Sequence, residues 1–212
     1  MRIVWALVLL SLIPSASFAA INSPSDLSSV GCQIREVCLG DLVADAVKSQ
    51  CGAPAALIPA GSLREITIPK GNFKVEDILK CLQYPDDKLV VMVLTGDQIL
   101  RGLERSVAVY SQKNLGFLQV SGIAFKFDPD ATKGSKVLTA TIGGETISKD
   151  RKYRIATTAS LAYGAYGYFT IWGKDQPKET KDITTEQAVE NFLSGKDSVN
   201  YQNLNRIVAK SE

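Results

Sequence analysis

The 212-residue chain has 24 basic and 22 acidic residues, and its formal net charge is +2. This weak excess of positive charge argues against a nucleic-acid partner, because a surface that binds nucleic acid needs clustered basic residues. The sequence contains no histidine, which excludes a Ser-His-Asp triad, a Cys-His pair and an imidazole metal ligand. Carboxylate sites for Mg²⁺ or Ca²⁺ stay open, but the best candidate, Asp128 to Asp130, is more typical of a turn. We therefore predict neither a metal site nor a cofactor.

Residues 1–19 have the pattern of a signal peptide. Arg2 gives a positive start, an apolar run follows from Ile3 to Ile13, and Ser17 to Ala19 place small residues at a cleavage site. The apolar run is about half the length needed to cross a bilayer, and an uncleaved anchor is the alternative. We expect a periplasmic or secreted protein that has no membrane contact after signal cleavage.

Four cysteines, Cys32, Cys38, Cys51 and Cys81, lie beyond the cleavage site. An even number in an exported protein favours disulfides, and four cysteines allow three pairings. We favour Cys32–Cys38, which closes a short local loop, together with Cys51–Cys81, which closes a longer one. The sequence leaves the other two pairings open. A zinc site is not favoured, because there is no CxxC pair and no histidine.

The remaining chain divides into a loose segment and one domain. Residues 20–31 are rich in Ser, Pro and Asn, and we expect a loose N-terminal segment there, followed by a single domain over 32–212. Thr95 with Gln98, and Thr184 with Gln187, have the spacing of capping boxes, while Asp41 is a candidate cap for the first helix. Apolar periodicity predicts helices at 41–50, 75–82, 96–109 and 184–195.

Strand patterns dominate the second half of the chain. Apolar runs and alternation predict strands at 55–58, 89–94, 117–127, 137–142, 145–147, 153–157 and 206–208. Gly143-Gly144 predicts a two-residue hairpin between two of these strands. Because the helices come mainly first and the strands later, the predicted fold class is α+β.

Four sequence blocks carry a resemblance to a known family. They are Leu39 to Ala46 after Arg35-Glu36, Gly61 to Arg64, Gly116 to Gly122, and Leu161 to Tyr168. In the same order they resemble the Glu-x-x-x-Gly-Asn-Leu-x-x-Asp-Ala, Asn-Gly-Gly-x-Ile-Arg, Phe-Leu-Gln-Val-Ser-Gly and Gly-Gly-Asp-Gly-Tyr/Phe patterns of the 5'-nucleotidase C-terminal domain, which binds substrate. The resemblance covers about Cys32 to Val208. It implies a mixed sheet with helices packed on it, standing without the metal-bearing catalytic domain of such enzymes.

The resemblance also implies a binding site. In the family, two aromatic rings hold the base of a nucleoside between them, and an arginine from the glycine-rich loop helps to hold the ribose or phosphate. Carried over by motif, the rings are Phe117 and Tyr168, the arginine is Arg64, and Gly61 belongs to its loop. Arg35 is a further basic candidate near the first block. No residue is predicted to be catalytic.

The chain departs from the family pattern at four positions. The asparagine of the glycine-rich loop is replaced by Pro59 and its first glycine by Ala60, which removes one contact to a ligand. The aspartate of the aromatic loop is replaced by Tyr166. Asp41 stands where the pattern has asparagine, which is a mild change. These differences leave the scaffold intact and bear on ligand binding alone.

Three functions fit this reading. The leading hypothesis is an exported stand-alone module that binds a nucleoside or nucleotide, is linked to nucleotide catabolism, and has no hydrolytic chemistry of its own. In the second, the chain is the non-catalytic half of a split nucleotidase and pairs with a separate metallophosphatase chain that hydrolyses phosphoric monoesters. In the third, the chain is a ligand-free structural or interaction protein on the same fold.

Overall fold

The computed structural model describes residues 20–173, 175–176 and 178–210, so the predicted signal peptide lies outside the described residues. The fold is α+β, as predicted. Its helices are α1 (Cys38–Cys51), α2 (Val75–Leu79), α3 (Gly96–Val107), α4 (Ala159–Ala162) and α5 (Thr185–Leu193). Short 3-10 turns cover Ala60–Ser62 and Ala165–Thr170. Among the helices described, none is both long and apolar enough to span a bilayer.

The strands form two main sheets and two short ladders. The strands are β1 (Ile21–Ser23), β2 (Leu27–Ser28), β3 (Ala55–Pro59), β4 (Thr67–Ile68), β5 (Gly71–Phe73), β6 (Lys88–Thr95), β7 (Leu118–Ser121), β8 (Ile123–Phe127), β9 (Val137–Ile142), β10 (Glu145–Thr146), β11 (Lys152–Thr158), β12 (Lys178–Thr184) and β13 (Ile207–Ala209). The five-stranded sheet has the order β12-β6-β11-β3-β7, and the four-stranded sheet has the order β10-β9-β8-β13.

The five-stranded sheet is the centre of the molecule. It is mixed, because β11 pairs with β3 in parallel, whereas the other three strand pairs, β12-β6, β6-β11 and β3-β7, are antiparallel. Every residue of β3 is buried, as expected for a strand that is covered on both faces. Helix α1 packs on β3, β7 and β11 and supplies much of that cover.

The strand predicted at 117–127 is two strands in different sheets. Gly122 separates β7 from β8 with a φ of +70°, and a Cβ there would lie 2.1 Å from the carbonyl oxygen of Pro54. Only glycine combines this conformation with so close a backbone contact. The predicted hairpin is confirmed, since Gly143 and Gly144 join β9 to β10 with φ values of +60° and +86°.

The N-terminal segment is ordered where a loose segment was predicted. Strand β1 pairs with β5 and strand β2 pairs with β4. Ile21 and Leu27 are both buried in the core. The prediction was wrong for residues 21–28 because these two apolar side chains outweigh the Ser- and Pro-rich composition around them.

Both predicted capping boxes are confirmed, and the predicted cap of the first helix is wrong. The backbone N–H of Gln98 donates to Thr95 Oγ1 at 3.2 Å, and Gln187 donates to Thr184 Oγ1 at 3.2 Å. Helix α1 instead begins at Cys38 with Val37 as its N-cap residue. Asp41 therefore lies inside the first turn, where it is 2% exposed.

The disulfides favoured from the sequence are absent, because all four cysteines are free thiols in the structure. Cys38 Sγ donates to Ser28 O at 3.3 Å, on the side of α1 that faces β2. Cys32 Sγ instead faces Ala60 O, at 3.9 Å. Cys51, at the end of α1, has the charged side chains of β11 and β12 as its electrostatic neighbours. The Cys32–Cys38 pairing fails because the two side chains face different elements.

Candidate functional site

Phe117 and Tyr168 are core residues, so the predicted base-stacking pair is wrong. Phe117 is 1% exposed and Tyr168 is 0% exposed. The Tyr168 ring stacks on Trp172 with 4.7 Å between ring centroids, and its hydroxyl donates to Gly116 O at 2.7 Å. The motif blocks do bring these two segments together. The rings face inward, however, and leave no face for a ligand.

The glycine-rich loop uses its backbone donors inside the protein. Ala60 N–H donates to Phe117 O at 2.7 Å, and Gly61 N–H donates to Leu115 O at 2.8 Å. These two groups therefore tie the loop to the segment before β7 and are not free for a ligand. The loop is a rigid support for the side chains that surround it.

The two predicted arginines lie in different places. Arg64 is exposed directly after the loop, and its Nε donates to Gln83 Oε1 at 3.0 Å. Arg35 packs over Gly31, and its Nη2 donates to Val30 O at 3.2 Å. Arg35 thus fastens the N-terminal segment, while Arg64 keeps the rest of its guanidinium available at the loop.

Tyr166 lies directly against the loop. A Cβ on Gly61 would come within 2.4 Å of the Tyr166 ring, so glycine is required there. Tyr166 has a φ of 55°, a left-handed conformation that is rare for a large side chain. Arg105 holds it there, because its Nε and Nη2 donate to Tyr166 O at 3.0 and 2.5 Å.

Tyr84 and Asp87 complete this group of side chains. Burial, followed by the neighbouring Tyr84 and Asp87, raises the pKa of Tyr166 above its usual value. Tyr84 is 50% exposed. Asp87 Oδ2 accepts a hydrogen bond from Ser160 N at 3.3 Å. We call the set Gly61, Arg64, Tyr84, Asp87 and Tyr166 the loop cluster.

The loop cluster offers binding chemistry. It combines two tyrosine rings, which can stack on a planar group, with one guanidinium, which can pair with an anion. Among the residues that the structure describes, no group of three or more Cys, Asp or Glu side chains is placed to hold a metal ion. The arrangement therefore suits recognition of an aromatic, anionic molecule.

The sequence did not lead us to predict Tyr84 as a site residue. It identified Tyr166 only as a replacement for the aspartate of the family pattern, with no binding role. Tyr84 stands in the polar turn Gln83-Tyr84-Pro85-Asp86-Asp87, between α2 and β6. An aromatic residue in a polar turn is poorly placed for burial, and this signal could have identified it.

Comparisons with known proteins agree with one another. A family model for the C-terminal domain of 5'-nucleotidases matches residues 16–173. A trifunctional nucleotide phosphoesterase protein of Bacillus subtilis is 30% identical over 166 residues, which is 72% of this chain and 11% of that protein. An apyrase of Aedes albopictus is 27% identical over 156 residues, which is 68% of this chain and 27% of that protein. The fold is similar to a 5'-nucleotidase precursor of Thermus thermophilus, with a TM-score of 0.82 and 25% identity over 92% of this chain and 40% of that one. The chain thus spans a minor part of each relative.

Proposed function

Because the chain belongs to the family of 5'-nucleotidase C-terminal domains, as the four motif blocks predicted, we propose that it is an exported nucleotide-binding module. It serves nucleotide breakdown and has no hydrolytic chemistry of its own. The observation that carries the proposal is the loop cluster, in which the half-buried Tyr166 ring and the exposed Tyr84 lie beside the glycine-rich loop that the exposed Arg64 follows. The similarity to a nucleotide phosphoesterase protein and to an apyrase supports a nucleotide as the ligand.

Each part of the loop cluster matches a part of a nucleotide. Tyr84 and Tyr166 supply ring faces for the base, and a base–aromatic stacking contact is worth about 1–3 kcal/mol. Arg64 supplies a guanidinium that can donate two hydrogen bonds to one phosphate group. A nucleoside monophosphate uses both features, and a nucleoside uses only the rings.

A ligand-free interaction protein is the second candidate, and the position of Tyr166 favours it. Its ring lies on Gly61 and covers the loop backbone that a ligand would otherwise approach. Under this alternative Tyr166 occupies the binding place permanently. The two functions then differ in what removal of the Tyr166 ring does.

Calorimetric titration with AMP and with adenosine tests the proposal. We expect the unaltered chain to bind both and Tyr84→Ala to weaken both by about 5- to 150-fold, the loss of one stacking contact. Arg64→Ala should weaken AMP in a salt-dependent way and spare adenosine. Phe169→Ala, which removes a ring that is 68% exposed and lies outside the loop cluster, is the control and should change neither affinity.

The same titration separates the two candidates through Tyr166→Ala. If Tyr166 is a stacking platform, this variant loses affinity for both ligands. If the unaltered chain binds neither ligand and Tyr166→Ala binds both, the ring is a plug and the interaction-protein function is correct. Failure of all variants to bind AMP at millimolar concentration would reject a nucleotide site at the loop cluster.

We also expect the purified chain to release no phosphate from AMP in the presence of Mg²⁺, Mn²⁺, Zn²⁺ or Co²⁺. Two-metal hydrolysis needs ligands for both ions and a positioned water, and these 212 residues contain no histidine. Hydrolysis would then come from a separate metallophosphatase chain, the partner in the split-enzyme alternative. Phosphate release that stays with the protein through repeated chromatography and vanishes with EDTA would contradict this expectation.

A further inference from the structure

Cys32 and Cys81 both lie against the glycine-rich loop, although they are far apart in the sequence. Both are 0% exposed. Cys32 Sγ faces the carbonyl oxygen of Ala60 at 3.9 Å, at the start of the turn. Arg64 N–H, at the other end of the turn, donates to Cys81 O at 2.7 Å. The two cysteines therefore contact the same short stretch of chain.

Further hydrogen bonds bring the flanking segments to the same place. Ser29 Oγ donates to Arg64 O at 2.6 Å, and Cys32 N–H donates to Ser29 O at 3.1 Å. On the other side, Leu63 forms a bridge with Leu82. The segments around Cys32 and Cys81 are thus both held against residues 60–64 by main-chain contacts.

The electrostatics of the thiols agree with this placement. Burial, followed by the neighbouring Cys32 thiol, raises the pKa of Cys81 to about 12. Burial raises the pKa of Cys32 to about 11. A group that acts on the charge of another inside a protein must lie near it.

We propose that Cys32 and Cys81 form a disulfide when the chain folds in an oxidising compartment, and that Cys38 and Cys51 remain thiols. The oxidant is a small-molecule or protein disulfide. The thiolate of one cysteine attacks that disulfide to give a mixed disulfide, and the second cysteine displaces the mixed partner. The two cysteines lose two electrons and two protons, and the oxidant becomes two thiols.

The burial of both thiols sets the order of events. Buried thiols with raised pKa values are poor nucleophiles, so the bridge has to close during folding, before the loop covers it. Once formed, it would tie the N-terminal segment to the end of α2 under the loop that carries Arg64. This proposal rests on the placement of the cysteines and is independent of nucleotide binding.

Peptide mapping decides the pairing. The full chain is refolded in a buffer of reduced and oxidised glutathione, alkylated in denaturant, digested without reduction and analysed by mass spectrometry. We expect one linked pair that contains Cys32 and Cys81, with Cys38 and Cys51 alkylated. A Cys32–Cys38 or Cys51–Cys81 pair, or four alkylated cysteines, would overturn the proposal.

A second measurement tests whether the bridge supports the fold. A bridge that closes a loop of about 50 residues should raise Tm by about 10 °C, so dithiothreitol should lower the Tm of the oxidised chain by that amount. Cys32→Ser and Cys81→Ser should each abolish the response to dithiothreitol. Cys51→Ser, which removes another buried thiol, is the matched control, and its Tm should still fall when dithiothreitol is added. An equal response in Cys81→Ser and Cys51→Ser would count against the bridge.

Discussion

Replacing Asp41 with asparagine should make the stability of the protein nearly independent of pH between about pH 4 and pH 9, where the unaltered chain loses stability as pH rises. Asp41 is 2% exposed, and its Oδ1 has no hydrogen-bond partner among the residues that the structure describes. The nearest cation, Arg206 Nη1, is 3.6 Å from that oxygen. A buried carboxylate without a hydrogen bond is costly, and protonation removes the cost.

The surroundings of Asp41 explain the direction of the shift. Burial raises the pKa of Asp41 from its usual 3.8 to about 9; Arg206 opposes this, while Glu36 and Asp45 add to it. Arg206 is already committed to Asp45, because its Nη1 and Nη2 donate to both carboxylate oxygens at 2.9 and 2.8 Å. The guanidinium therefore cannot neutralise a second carboxylate fully, and Asp41 keeps its proton at neutral pH.

The direction in which stability changes with pH follows from the number of protons bound in the folded and unfolded states. In the unfolded chain Asp41 ionises near its usual pKa of 3.8, and in the folded chain it ionises near 9. Between these values the folded state binds one more proton at Asp41, so the contribution of Asp41 to stability is greatest below about pH 4 and falls as pH rises, by at most about 1.4 kcal/mol per pH unit. Asparagine has nearly the same shape and cannot ionise, so this slope disappears.

Urea unfolding at about pH 5 and about pH 8 checks this result through the difference in the free energy of unfolding. Asp45→Asn is a companion variant that tests the cause of the shift. It removes the carboxylate to which Arg206 is paired and a negative charge beside Asp41, so we expect the pKa of Asp41 to fall and its pH-dependent loss of stability to weaken. Identical slopes in the unaltered chain and in Asp41→Asn would show that Asp41 is not the titrating group.

Local signals in the sequence predicted local structure well. The capping boxes at Thr95 and Thr184 and the hairpin at Gly143-Gly144 each depend on residues within three positions of one another, and all three are present. Asp41 has the residue type of a helix cap, but its role depends on Arg206, which is far along the chain. No local pattern reveals that such a partner will bury it.

The candidate site shows the same limit, because its geometry also depends on residues that are far apart in the sequence. The motif blocks correctly predicted that the glycine-rich loop, the segment before β7 and the aromatic loop would meet. They did not predict which ring would face the loop. Tyr166 does so because its own backbone is left-handed, between the left-handed Gly164 and Gly167, and because Gly61 leaves room for its ring. That arrangement turns Tyr168 inward against Trp172.

Phe117→Ala should cost about 3–5 kcal/mol in the free energy of unfolding, the typical penalty for emptying a large aromatic site in a core. Its ring is 1% exposed, and its main chain joins β7 to the glycine-rich loop through the bond from Ala60 N–H to Phe117 O at 2.7 Å. The cavity left by the substitution would lie where the loop is fastened to the core. The change therefore loses both buried apolar area and the support beneath the loop cluster.

Phe169→Ala is the control for this substitution, because it removes the same ring from a site that is 68% exposed. Surface substitutions of this kind usually change stability by less than about 0.5 kcal/mol. Denaturant unfolding of the two variants, followed by AMP titration of the fraction that remains folded, separates a core role from a binding role. If Phe117→Ala unfolded at the same denaturant concentration as the unaltered chain but no longer bound AMP, its ring would face an open cleft, as the family motif first implied. We expect the reverse, a large loss of stability with AMP affinity retained in the folded fraction, because the rings available to a ligand are those of Tyr84 and Tyr166.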